Sequence, residues 1–239
     1  MMKARLFPLW LLAILVSLIS FAANAQTSVV TSDEKIAAVV RPQPEEKKSA
    51  ADYNALGGEY YRTGQYPLAI ESFKEALRLQ PTYFEATLNL GFAYAKTNQQ
   101  SDAVVALSKA TELRPGYANA HYALGLSFFK LGQFDAAANA FESVVRLEPK
   151  SAEAQNNLGA AYFRLCRSEE AIANLKAATT FKPRYAEAHY NLGEVYVSLK
   201  NKTSALEEYA ILKDLDPLLA DRLFRLIYEK KVVDVKGSK

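Results

Sequence analysis

Prolines stand at positions 81, 115, 149, 183 and 217 of this 239-residue chain, each 34 residues after the one before. A strict period of that length means one supersecondary unit repeated, with each unit needing its neighbours to cover its apolar face. The other landmarks keep the same phase. A glycine lies 24 residues before each proline (Gly57, Gly91, Gly125, Gly159, Gly193), and a leucine directly precedes each glycine (Leu56, Leu90, Leu124, Leu158, Leu192). Three residues after each glycine comes an aromatic ring: Tyr60, Tyr94, Phe128, Tyr162, Tyr196. Alanine follows at twelve (Ala69, Ala103, Ala137, Ala171, Ala205), and a large side chain at sixteen (Phe73, Leu107, Phe141, Leu175, Tyr209). No insertion or deletion interrupts the register.

Each landmark has a mechanical role. The leucine and the aromatic lie four residues apart and give a first helix its apolar stripe. The glycine and the alanine let a second helix approach closely, and the proline closes that helix and turns the chain. The pattern resembles the tetratricopeptide-repeat family, whose 34-residue unit is a helix-turn-helix. The resemblance covers Ala50 to Leu219 in five units: 50–83, 84–117, 118–151, 152–185 and 186–219. It implies an all-α fold, a right-handed α-solenoid of stacked hairpins. The family's first large aromatic is present only as Tyr53; Thr87, His121, Gln155 and His189 replace it, which predicts looser packing at those sites.

The ends of the array are also written in the sequence. Ser49 followed by Asp52 has the form of a capping box at a helix start. After Pro217, Leu218 to Lys231 repeats the first-helix pattern with Leu223 and Leu226 in register, but Ile227 takes the glycine position and leaves no seat for a partner helix. Residues 220–239 therefore read as a capping helix and tail, with Asp221, Arg222, Arg225, Glu229 and Lys230 on a solvated side and Val232 to Lys239 frayed. Residues 26–49, with Pro42, Pro44 and the run Glu45-Glu46-Lys47-Lys48, read as a flexible linker.

Residues 1–25 have the form of a secretory signal. Lys3 and Arg5 precede the charge-free apolar run Leu6 to Phe21, and Ala23-Asn24-Ala25 predicts cleavage before Gln26. The expected location is exported and periplasmic, with no membrane span once the signal is cleaved. The alternative is a membrane-anchored chain with an uncleaved segment, although Leu6 to Ala23 barely reaches the roughly 18 residues of a spanning helix. Without Lys3 and Arg5 the chain holds 27 basic and 26 acidic residues, a balance that argues against nucleic acid as a partner. Cys166 is the single cysteine, so no internal disulfide is available to the fold.

The resemblance implies a groove, lined by the first helices, that holds segments of other proteins; the expected partner is a protein or peptide. Asn89, Asn157 and Asn191 each lie two residues before a repeat glycine, with Ala55 and Ala123 interrupting the series. Such a ladder either binds a peptide backbone, since an amide both donates and accepts, or stabilises the surface between repeats. Tyr122, Tyr190, Phe92, Leu126, Phe129 and Phe163 supply either an aromatic groove lining or packing between repeats. Arg62, Lys96, Lys130 and Arg164 form a basic row in the last turns of the first helices, with Glu85, Glu153 and Glu187 in the first turns. Such a row either recognises an acidic ligand or complements the helix dipole, and acid at the start with base at the end favours the second reading. The carboxylate clamp of some family members is absent, since Asn54, Gly58, Asn119 and Ala123 stand at its positions.

Catalysis has no visible apparatus. His121 and His189 lie two repeats apart, about 20 Å at ordinary helix spacing, and Cys166 is about 16 Å from His189. No phosphate loop or hydrolase motif occurs. The reading is a binding module with no catalytic residues, no metal ligands and no cofactor. Docking through the edges, the cap or Cys166, into an assembly or a homo-oligomer, stays open as the alternative.

Overall fold

The computed structural model describes residues 48–236. The signal segment 1–25, the linker as far as Lys47 and the last residues, 237–239, lie outside the described residues. Among the described residues there are eleven helices and no strand. They are α1 (Ala50–Arg62), α2 (Tyr66–Leu79), α3 (Phe84–Lys96), α4 (Gln100–Leu113), α5 (Ala118–Lys130), α6 (Phe134–Leu147), α7 (Ala152–Arg164), α8 (Ser168–Phe181), α9 (Ala186–Ser198), α10 (Lys202–Leu215) and α11 (Pro217–Lys236). Each odd helix through α9 packs antiparallel on the even helix after it, and each hairpin stacks on the next to give an α-solenoid. None of these helices is long and apolar enough to cross a membrane.

The hairpins close as their small residues require. A Cβ built on Gly57, Gly91, Gly125 or Gly159 would come within 2.6 Å of Phe73, Leu107, Phe141 or Leu175, the fully buried side chain sixteen residues later. The five repeat alanines are likewise fully buried. The tips use one backbone device: Gly64, Asn98, Gly132, Cys166 and Lys200, spaced 34 apart, all take the left-handed conformation with φ from 58° to 79°. That conformation ends a helix by turning its last amides back onto its carbonyls. At the N-terminal edge, Ser49 Oγ accepts from the Asp52 backbone N–H while the Asp52 carboxylate accepts from the Ser49 backbone N–H, a complete capping box.

Two features differ from the expectation. Thr87, Gln155 and His189 are not loosely packed but buried, and His121 is half-buried. His121 Nε2, Gln155 Nε2 and His189 Nε2 each meet the carbonyl oxygen of the proline six residues earlier (Pro115, Pro149, Pro183) at 2.9, 3.5 and 3.1 Å. A polar side chain thus ties the inter-repeat turn to the next helix where the family uses aromatic bulk. Thr87, too short to reach, bonds the Tyr83 carbonyl instead.

The second difference is at the C-terminal end. α11 starts at Pro217 itself, with Asp216 Oδ1 accepting from the amides of Leu218 and Leu219, whereas α3, α5, α7 and α9 start three residues after their prolines. The fully buried Leu223 then lies over Gly193, where an added Cβ would meet it at 2.5 Å. Tyr209, sixteen residues after Gly193, does not take that seat. It stays half-buried with its ring tilted against Phe224, centroids 5.4 Å apart, because burying a tyrosine there would strand its hydroxyl. The cap packs against both α9 and α10 and completes the last hairpin's core.

Candidate functional site

The first helices α1, α3, α5, α7 and α9 present one side to a common groove, and two depressions are sunk into it. One, of about 370 Å³, lies between α5, α7 and α9. Leu126, Phe129, Asn157, Phe163, Tyr190 and Asn191 line it, all six singled out from the register. Its floor reaches the core at Phe141, Leu175 and Val195. The other, of about 360 Å³, lies between α3 and α5 and is lined by Phe92, Tyr122 and again Leu126, with Tyr61, Lys96 and Lys130. Asn89 lines neither.

The asparagines have a definite task between repeats. Asn89 Nδ2 donates to Asn54 Oδ1 at 3.2 Å, Asn157 Nδ2 to Tyr122 Oη at 2.9 Å, and Asn191 Nδ2 to Asn156 Oδ1 at 2.8 Å. Each bond spans 35 residues, joining a first helix to the one before it. The gap in the ladder is explained by the same geometry. Ala123 would have to donate to Leu88, which has no acceptor, so both positions are apolar together. Asn157 and Asn191 still face the first depression with the remainder of their amide groups.

The aromatic residues divide their surface between core and groove. Phe129 is half-buried, its ring set edge-on to Phe134 with centroids 5.1 Å apart, and Tyr122 is edge-on to Phe141 at 5.9 Å. Phe129 and Phe163 pack on the core cluster with one part and line the depression with another. Rings fixed in this way cost little entropy when a ligand lands on them. Burial pushes the Tyr122 hydroxyl above its ordinary range, with the Asn157 bond pulling the other way, so it is a neutral group at any ordinary pH.

Tyr190 departs from the expectation in one respect. It is buried, because α11 lays Arg222 over it, the guanidinium 4.7 Å from the ring centre. Arg222 also lines the first depression beside Glu194. The register gives no signal for this, since α11 begins early and turns a residue expected on the solvated side onto the groove.

Charge in the groove is uneven. Glu85 is bound by Arg114 at 2.7 Å and Glu153 by Lys182 at 2.8 Å, each acid at the start of a first helix meeting a cation at the end of the same hairpin. The Lys182 bond holds the Glu153 carboxyl below its usual range and raises Lys182 in turn. Among the described residues, Arg62, Lys96, Lys130 and Arg164 make no ion pair. Lys96 and Lys130 line the second depression and Arg164 the first. The complement of basic and acidic helix ends therefore stands, but Glu85 and Glu153 have other partners, and Lys96, Lys130 and Arg164 remain on the groove.

Comparison with known proteins agrees with this architecture. Tetratricopeptide-repeat family models match residues 122–183 and 186–217, and a further TPR-repeat model matches 57–98, 93–132 and 167–200. No curated protein matches the chain. Among solved structures, YrrB, described as a TPR protein with an unusual peptide-binding site, is 24% identical over 76% of this chain and 94% of its own, with a TM-score of 0.69. MamA of Desulfovibrio magneticus RS-1, from residue 41 to its end, is 26% identical over 72% of this chain and 97% of its own, with a TM-score of 0.68. A further MamA structure is 25% identical over 76% and 97%, with a TM-score of 0.60. With its 34-residue period, its stacked hairpins and family-model matches running from residue 57 to 217, the chain belongs to the tetratricopeptide-repeat family.

Proposed function

We propose that this chain is a protein-interaction module that holds a segment of a partner protein in the groove of its first helices. The observation that carries the reading is the pair of depressions meeting at Leu126, walled by half-buried rings and open to a ligand. A peptide-binding site in YrrB and the shared fold of MamA are in keeping with it. Residues 1–25 add a proposed address: export, with cleavage before Gln26, so that the partner would be met outside the cytoplasm.

A photoreactive residue placed at 126 tests the groove, with the same residue at 105, an outer position on α4 where Val105 is 72% exposed, as the control. Crosslinks to a defined partner segment are expected from 126 and not from 105. Equal capture from both positions, or capture from 105 alone, would show that the groove is not the binding surface.

A second reading, docking through the C-terminal edge, has one observation in its favour. On α11, Leu218 is 79% exposed and the adjoining rings of Phe224 and Tyr228 are exposed as well. A strictly monomeric mass by light scattering at high concentration would count against self-association there.

A further inference from the structure

The groove's charge points to the chemistry of its occupant. The second depression has Lys96 and Lys130 in its lining and no carboxylate. The first has Arg164 and Arg222 against the single acid Glu194. Of the first-turn acids, Glu85 and Glu153 are held by Arg114 and Lys182, which leaves Glu187 at the start of α9 as the one without an ion pair among the described residues. Beside this run of cations lies an apolar floor that reaches Phe141 and Leu175. A cation left without an ion pair at the edge of an open hollow with an apolar floor is complemented by a carboxylate that brings apolar surface with it.

Resting on the groove reading above, we infer that the partner is an acidic segment with aliphatic or aromatic anchors. Its carboxylates meet the row Lys96, Lys130 and Arg164, and its anchors enter the two depressions on either side of Leu126. Cations on successive first helices are separated by about one helix-packing distance, roughly 10 Å. An extended chain covers that distance in about three residues at roughly 3.3 Å each. The expected pattern is therefore an acid at every third position with apolar residues between.

A displayed library of random dodecapeptides, panned on residues 48–239 fused to their native N-terminal linker, provides the probe. The selected peptides are expected to be rich in Asp and Glu together with Leu, Phe or Trp. The double variant Lys96→Glu with Lys130→Glu should bind them about tenfold more weakly or worse, with steeper loss on added salt in the wild type than in the variant. Lys74→Glu with Lys109→Glu, outer positions carrying the same change of net charge, should leave affinity unchanged, and circular dichroism confirms the fold of each. If the peptides are neutral or basic, lose affinity with Leu126→Glu and ignore the charge reversal, the acidic partner is wrong while the groove stands. If no peptide is selected, or those selected ignore both Leu126→Glu and the charge reversal, the groove reading fails together with this inference.

Discussion

Two glycines on first helices two repeats apart show how one residue type serves opposite ends. Gly125 has the Phe141 ring where its Cβ would be, at 2.6 Å, and Phe141 is fully buried. Gly58, on the groove side of α1, has nothing within 4 Å of that point. Gly58→Ala should therefore stabilise the chain by about 0.5–1 kcal/mol through helix propensity alone. Gly125→Ala should instead destabilise it, an overpacking cost of about 1–3 kcal/mol exceeding the same propensity gain. Urea unfolding midpoints that move in opposite directions are the expected result. Position Gly125 was legible in the sequence because it recurs every 34 residues, whereas Gly58 does not recur, and its open surroundings appear only in the folded chain.

At the scale of helices, His189 joins three elements. It lies on α9, its Nδ1 is 2.6 Å from Glu208 Oε2 on α10, and its Nε2 is 3.1 Å from the Pro183 carbonyl in the turn before. Both ring nitrogens face acceptors, so both need a proton. The Glu208 bond, followed by the Pro183 carbonyl and the charge of Glu208, raises its pKa above the ordinary histidine value against the opposing effect of burial. A folded-state pKa raised above the unfolded one contributes stability that is complete below the unfolded value of about 6.5 and is lost as pH rises through the folded value. The melting temperature should thus fall as pH climbs above the ordinary histidine range. His189→Gln, which copies Gln155 and keeps a donor for the proline carbonyl, should flatten that fall in a pH series of melting curves. The sequence displayed His189 as a departure from the family pattern. Its partner, nineteen residues away on another helix, appears only when α9 and α10 are packed together.

For the whole molecule, a solenoid's stability is a sum of local units and the contacts between neighbours. Leu223 of α11 fills the seat over Gly193 and is fully buried, so Leu223→Ala removes the cap's anchor at about 2–5 kcal/mol. Because α11 packs on α9 and α10 among the described residues, the loss should appear as faster amide exchange in α9 to α11, with α1 to α6 keeping their protection. Uniformly faster exchange along the chain would mean that the array unfolds as one cooperative body. The same nearest-neighbour logic makes the groove additive: each first helix contributes a side chain or two, and no single helix contains a site.

The sequence by itself determined the repeat, its period, the seats of its glycines and alanines and the face that carries Leu126, Phe129 and Phe163. Such features recur at fixed spacing because each hairpin solves the same packing problem. Only the tertiary structure decided what the asparagines bond, which charges remain unpaired and what covers Tyr190. Those outcomes depend on residues 29 to 35 positions apart, or on α11 starting three residues early, and such contacts are fixed by how helices stack rather than by any local pattern. The groove's side was readable from periodicity. The row of cations was readable too, but not that Lys96, Lys130 and Arg164 stay without ion pairs among the described residues, because that depends on Arg114 and Lys182 taking Glu85 and Glu153.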